Sequence, residues 1–228
     1  MQKLNAKTSS WEIYSGLRAR APLVVRADGR GFKKILENCK KPYDPEFARS
    51  MARVAARLFL DSGLMPALAF TFSDEINLIF LEAPFAGRVE KIDSVMAGFL
   101  SAALSLELGQ LVCMDCRTIP IYKAEVSDYL AERQGETWRN HVFSYGFYML
   151  VVDGLTASEA MEELRGMREQ EIHELVYQRG INLAKTPAWE RRGIMIFRKG
   201  GRLIQDWELP LFSSLEGKAL LAEIIEGA

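Results

Sequence analysis

The stretch Ala67-Leu68-Ala69-Phe70-Thr71-Phe72-Ser73-Asp74-Glu75-Ile76-Asn77-Leu78-Ile79-Phe80-Leu81 decides how the chain is read. On its first half Leu68, Phe70 and Phe72 alternate with Ala67, Ala69 and Thr71. On its second half Ile76, Leu78 and Phe80 alternate with Asn77, Ile79 and Leu81. Period-two alternation marks half-buried strands, so this is a hairpin with Ser73-Asp74-Glu75 at its tip. If 73–75 form a three-residue loop, Phe72 faces Ile76, Phe70 faces Leu78 and Leu68 faces Phe80, all on one side of the sheet. A two-residue loop would put the two arms out of phase, so the register predicts the longer turn. Two adjacent carboxylates then end a stiff ribbon. Taken alone, such a tip reads first as a solvated acidic turn, since Asp is a common turn former.

A second stretch changes that weighting. Pro22-Leu-Val-Val-Arg-Ala-Asp-Gly-Arg-Gly-Phe32 holds a short apolar run that ends at Asp28. Gly29 and Gly31 let the backbone turn tightly and approach a bound group. Two strand ends bearing carboxylates fit a two-metal site for phosphoryl chemistry. Mg²⁺ takes oxygen ligands, and paired ions about 3.5–4 Å apart clamp the attacking and leaving oxygens.

The 228 residues allow one domain with an elaboration, and 49% hydrophobic content is ample for a core. With 29 basic and 30 acidic residues, the net charge of −1 confines any nucleic-acid contact to local patches. No apolar run reaches membrane-span length, and Met1 to Lys7 lacks the apolar core of a signal peptide, so a cytoplasmic protein without membrane contact is expected. Three cysteines fit a reducing compartment. Cys113 and Cys116 form a Cys-x-x-Cys, but a zinc site would need two more ligands from the scattered Cys39, His141 and His173.

In chain order, Asp44-Pro45 opens a helix with an N-cap and a proline at the first position. Phe47, Met51, Val54, Ala55, Leu58 and Phe59 form its apolar stripe and Gly63 ends it. Before it, Lys33, Lys34, Lys40 and Lys41 are either a solvated face or a phosphate-facing rim. A second helix runs from about Gly87 to Leu108, and Leu111 to Tyr122 is a strand region interrupted near Asp115. Strand, helix, hairpin, helix, strand is the ferredoxin-like βαββαβ order, an α+β fold whose helices cover one sheet face and leave the other for a ligand. Its first strand can lie beside the hairpin, which would bring Asp28 near Asp74 and Glu75.

Residues 1–124 thus form a core, 125–190 a helical elaboration and 191–228 a closing hairpin and C-terminal helix, all one catalytic unit. Two helices are expected over 125–134 and 137–152, the second rich in aromatics that are more often core than a base-stacking platform. Thr156 and Glu159 form a capping box, and another helix spans about 168–179. Arg191, Arg192, Arg198, Lys199 and Arg202 gather near the closing hairpin, as an RNA-facing patch or as surface ion pairs.

These residues together resemble the tRNA(His) guanylyltransferase family of 3′-to-5′ polymerase-like enzymes, over roughly residues 10 to 205. Asp28-Gly-Arg-Gly-Phe32 is similar to the family's first metal motif and Ser73-Asp74-Glu75 to its second. Lys41-Pro42 with Asp44 matches a segment whose lysine and aspartate contact nucleotide triphosphate. Asp115-Cys116-Arg117 resembles an Asp-Gly-Arg, with Cys in place of Gly. Arg133-Gln134 and Asn182 match further family positions. Where eukaryotic members carry His-Ile-Asn-Asn-Leu-Tyr-Asn, this chain has Trp138-Arg-Asn-His-Val-Phe-Ser144, and a family lysine falls near Ile172. Both departures resemble archaeal-type members.

The resemblance implies a polymerase palm-like core and an ATP-dependent adenylylation of a tRNA 5′-phosphate. Attack by the GTP 3′-hydroxyl follows, with two Mg²⁺ ions. It implies Asp28, Asp74 and the Gly29 carbonyl as metal ligands, with Glu75 completing or orienting that shell. Nucleotide is expected at Gly29, Arg30, Gly31, Phe32, Lys41, Asp44, Ser73 and Asn182, with Arg88 and Lys91 at the second long helix as weaker members. RNA is expected at Arg133, Gln134, Asn140, His141, Arg191, Arg192 and Lys199, and a tetramer is the implied assembly. Competing readings are a repair polymerase for tRNA 5′ ends, another palm-type enzyme, and a non-catalytic RNA-binding module. The last lacks the aromatic pattern that stacks bases.

Overall fold

The computed structural model describes residues 11–227; the expectation for Met1 to Lys7 lies outside them. Strand β1 (Leu23–Arg30) is followed by the short α1 (Lys33–Leu36), α2 (Pro45–Asp61), the hairpin β2 (Leu68–Phe72) and β3 (Glu75–Phe80), α3 (Val89–Leu108) and β4 (Cys113–Pro120). These four strands lie in the order β4-β1-β3-β2 with every pairing antiparallel, the βαββαβ arrangement expected. Asp44 caps α2 through Oδ1, which accepts from Glu46 N at 2.8 Å, and Gly109 ends α3 in the left-handed region at φ 66°. Both helices bury their stripes on one sheet face, against Leu23, Val25, Ala27, Ile76 and Leu78.

The hairpin differs from the expected register. Phe72 pairs with Glu75 and Phe70 with Asn77, so the loop is the two residues Ser73-Asp74, with Ser73 at φ 50°. Ile76, Leu78 and Phe80 face α2 and α3, whereas Leu68, Phe70 and Phe72 point to the opposite side. The physical reason is that both faces of this sheet are covered. Large side chains need not share a side when each side has its own core, so alternation of size did not report the phase of the arms.

The second face is therefore not open. Helix α4 (Val126–Val152) and α8 (Leu215–Glu226) pack there, with Val126, Leu130, Leu221 and Ile224 against Val24, Leu68, Phe70 and Ile79. Helix α4 is one helix rather than two, continuing through Gly135 because packing outweighs the roughly 1 kcal/mol a mid-helix glycine costs. Strand β4 likewise runs unbroken through Asp115, with Met114 inward and Asp115 outward. Beyond the sheet, the second half of α4 packs with α5 (Ala157–Leu164), α6 (Glu169–Gln178) and α7 (Ala188–Arg192) around Val142, Leu164, Val176 and Leu183. Strands β5 (Ile194–Lys199) and β6 (Arg202–Asp206) then return to pair beside β2, making the sheet six-stranded. Among the described residues no helix is long and apolar enough to cross a membrane.

Candidate active site

Register places the acids. Ala27 pairs with Ile76, so Asp28 lies one step further along β1, next to the end of the β2–β3 hairpin. Asp28 also stands opposite Asp115 on β4, with both side chains on the α4 side of the sheet. Asp74, in the turn, leans over Gly29: a Cβ added at Gly29 would lie 2.7 Å from Asp74 Oδ2 and 2.4 Å from the Phe32 ring. Only glycine fits there. Burial, with the nearby charge of Asp28, pushes the Asp74 carboxyl above its ordinary range, and Ser73 Oγ donates to it at 3.1 Å.

Glu75 shares a sheet face with Asp28, its neighbour in the β1–β3 register, but its carboxylate is taken by other partners. Alternation sends it to the α4 side, where Arg133 donates Nε to Oε1 at 2.9 Å and Nη2 to Oε2 at 2.7 Å, and Asn77 donates at 2.7 Å. Tyr129 hydroxyl donates to Asn77 Oδ1 at 2.7 Å, completing a buried network between α4 and the hairpin. Burial opposes the Arg133 charge, but Glu75 and Glu136 outweigh it and hold the guanidinium protonated. Glu75 therefore ties the hairpin to α4 through Arg133.

Beside Ser73 a cavity of about 570 Å³ opens between the 33–44 segment, the start of α2, the second half of α4 and α7. Its walls include Tyr43, Phe147, Tyr148 and Trp189, its polar lining Asn140, Ser144 and Glu190, and Lys33, Lys40 and Lys41 stand at its mouth. Lys41 Nζ donates to Leu36 O and lies 5.6 Å from the Tyr148 ring centre. Asp44 faces the cavity while accepting from Lys40 N at 2.9 Å. Against the burial that would raise its pKa, its three backbone donors hold it below the usual carboxylate range. Gly31, at φ 71°, turns the chain out of β1, leaving Arg30 exposed and Phe32 buried with its ring 6.2 Å from Phe47.

Other expected residues do not converge here. Arg88 and Lys91 are exposed at the start of α3, and Lys91 Nζ lies 5.0 Å from the Phe85 ring centre. Asn182 caps the turn at 183–185 by accepting from Ala184 N at 3.0 Å. Gln134, expected on RNA, is buried and ties three segments together: it donates to Arg192 O and Pro210 O and accepts from Phe212 N. Arg133 is spent on Glu75. His141 is fully buried, with Nε2 3.0 Å from Thr186 Oγ1 and its ring against Tyr43, Trp138 and Tyr145. Arg133 and Gln134 sit inside because the first half of α4 lies on the sheet, and His141 because Tyr43 and Thr186 cover the second half, which leaves Asn140 as the RNA candidate of that group on the cavity wall.

The basic cluster is divided as well. Arg191 Nε donates to Thr186 O at 2.9 Å and Arg192 Nη1 to Leu209 O at 2.8 Å. Lys199, at the far end of β5 and thus ~20 Å along the strand, pairs with Glu223 at 2.7 Å. Sequence spacing missed Tyr43, Ser144, Trp189 and Glu190. The available signal was the Phe143/Phe147 spacing on α4, which also fits an ordinary core.

The family model described as tRNAHis guanylyltransferase matches residues 6–129, and that for the Thg1 C terminal domain matches 124–211. The chain is 31% identical over 193 residues to a probable tRNA(His) guanylyltransferase of Drosophila melanogaster, covering 78% of this chain and 67% of that protein. It is 29% identical over 205 residues to tRNA(His) guanylyltransferase 1 of Arabidopsis thaliana, spanning 83% of this chain but only 36% of the plant protein. In structure it is similar to a bacterial tRNA(His) guanylyltransferase (Thg1)-like protein in complex with ATP, at a TM-score of 0.79 and 24% identity, covering 94% of this chain and 95% of that one. The crystal structure of the Saccharomyces cerevisiae tRNA(His) guanylyltransferase gives 0.70 at 25% identity, covering 80% and 86%. The fold is thus shared over nearly the whole chain, and the protein belongs to the tRNA(His) guanylyltransferase family of nucleotidyltransferases.

Proposed function

We propose that this protein adds guanosine nucleotide to the 5′ end of tRNA, with tRNA(His) favoured, in the 3′-to-5′ direction. The observation that carries the reading is the meeting of Asp28, Gly29 and Asp74 beside a nucleotide-sized cavity in a chain of this family. ATP would adenylylate the tRNA 5′-monophosphate and release pyrophosphate. The 3′-hydroxyl of GTP would then attack that phosphate and expel AMP.

The residues fit Mg²⁺. Asp28 and Asp74 are neighbouring anions, and the missing Cβ at Gly29 leaves room for its carbonyl to share a ligand with Asp74. Among the described residues no group of three or more His, Cys, Asp or Glu side chains could hold a metal, and Mg²⁺ needs none, being held by one or two carboxylates plus substrate phosphates. When bound, two such ions lower the pKa of the attacking hydroxyl and offset charge on the leaving phosphate. The chain's own part is positioning. The aromatic walls take the base, Lys33, Lys40 and Lys41 at the mouth meet phosphate as point charges, and the Glu75–Arg133 network fixes the hairpin. The burial of Gln134 and His141 favours a second reading with looser tRNA selection, repair of truncated 5′ ends.

The test supplies 5′-monophosphorylated tRNA, ATP, Mg²⁺ and labelled GTP. Label is expected at the 5′ end, and Asp28→Ala or Asp74→Ala should slow its appearance by about 10³-fold or more with an unchanged circular dichroism spectrum. Near-normal turnover by either variant removes these acids from the chemistry; label at the 3′ end overturns the direction.

A further inference from the structure

We infer that the Glu190 carboxylate selects the base in the cavity, accepting hydrogen bonds from the N1–H and 2-amino groups of guanine; this rests on the nucleotide-transfer reading above. Glu190 projects from α7 into the cavity wall and is only 9% exposed. Tyr145 hydroxyl donates to its Oε2 at 2.7 Å, which fixes the plane of the carboxylate from behind. Burial pushes the Glu190 carboxyl above its ordinary range, against the opposing pull of the Tyr145 hydroxyl and the nearby Arg191 charge, and Arg191 Nε donates to Thr186 O at 2.9 Å.

A buried carboxylate held by one neutral hydroxyl has unmet acceptor capacity, and leaving it so is costly. A ligand with two adjacent in-plane N–H donors answers that need. Guanine presents such a pair on its Watson–Crick edge. Adenine and cytosine each place a ring-nitrogen acceptor beside their amino group, so one lone pair would face another. Uracil offers one N–H between two carbonyls.

The surroundings agree with a base at this depth. Tyr43 and Trp189 line the cavity together with Glu190, and their own rings meet edge-on at 6.1 Å. Of the other two acids lining the cavity, Glu37 is exposed, and Asp44 already accepts from the backbone N–H groups of Lys40, Glu46 and Phe47 as the cap of α2. Lys33, Lys40 and Lys41 line the same cavity and are exposed, so they are available to a triphosphate.

Equilibrium titration of the full chain with GTP, ITP and ATP in Mg²⁺ tests this, since ITP lacks only the 2-amino group. Wild type should bind GTP about tenfold or more tightly than ITP, the worth of one hydrogen bond to a charged acceptor. Glu190→Gln, nearly the same shape, should weaken GTP by about tenfold and bring the GTP/ITP ratio toward one. A wild-type ratio near one, tighter binding of ATP than GTP, or a Glu190→Gln variant with the wild-type ratio would overturn the assignment while leaving nucleotide transfer standing. Absence of binding by all three nucleotides to wild type would instead remove the nucleotide-transfer reading, and the assignment with it. The wild-type comparison needs no variant, so a folding defect in Glu190→Gln cannot mask the answer.

Discussion

His141 shows what burial does to a single titratable group. It has no exposed surface and its Nδ1 lacks a partner, and desolvation together with the Arg191 charge lowers its pKa from 6.5 to about 4. The folded pKa lies below the unfolded one, so between about pH 4 and 6.5 the unfolded chain binds the extra proton. Stability then rises with pH across that window, by at most about 1.4 kcal/mol per unit and about 3 kcal/mol in all, and is flat above it. Urea unfolding at pH 5 and pH 7 should show this loss on acidification in wild type and a smaller one in His141→Gln. Equal pH dependence in the two proteins would mean that His141 is not held neutral.

At the scale of elements, the contact between α4 and the β2–β3 hairpin sets where the acidic tip can go. Arg133 and Glu75 have side chains 8% and 11% exposed and bond through two nitrogens, and the Arg133 guanidinium also lies 5.5 Å from the Phe72 ring centre. Removing one member of a buried pair strands the other charge, at a cost of about 3–5 kcal/mol. Arg133→Ala should lose that much stability by urea denaturation, and its effect on tRNA affinity should be small by comparison. A variant that stays fully stable but no longer binds tRNA would return Arg133 to the RNA surface. Helix α4 does the same for Gln134, whose amide joins α7 to the loop at Pro210 and Phe212.

Over the whole molecule, charge is balanced at −1, so a polyanion must be gripped where cations are free. Arg191 and Arg192 donate to backbone carbonyls and Lys199 pairs with Glu223, whereas Lys33, Lys34 and Lys40 are exposed near the cavity mouth and the acidic tip. Each phosphate contact releases counterions and adds to the slope of log affinity against log salt, about 0.7–0.9 per contact. Replacing Lys33, Lys34 and Lys40 together by Ala should flatten the slope for tRNA by about 2, whereas Lys199→Ala should leave it unchanged. Filter-binding titrations at several salt concentrations decide between the two faces, and a slope that responds to Lys199 instead would put the RNA on the closing hairpin.

What the sequence determined by itself is local or pairwise. The Asp44-Pro45 cap, the stripes of α2 and α3, the glycine at position 29 and the order of strands and helices each follow from a few residues, and they sufficed to bring Asp28 toward Asp74. Tertiary structure decided everything that depends on which faces are covered. The hairpin phase inverted because α4 and α8 bury the second side of the sheet. Glu75, Arg133 and Gln134 became internal because α4 crosses that side, and His141 because Tyr43 and Thr186 cover the second half of the same helix. Glu190 and Trp189 entered the cavity because α7 packs on α4, far from them in sequence. A charged or polar residue reads the same in sequence whether it meets solvent, a ligand or a buried partner; only the packing of distant segments supplies the burial and the partner that separate these roles.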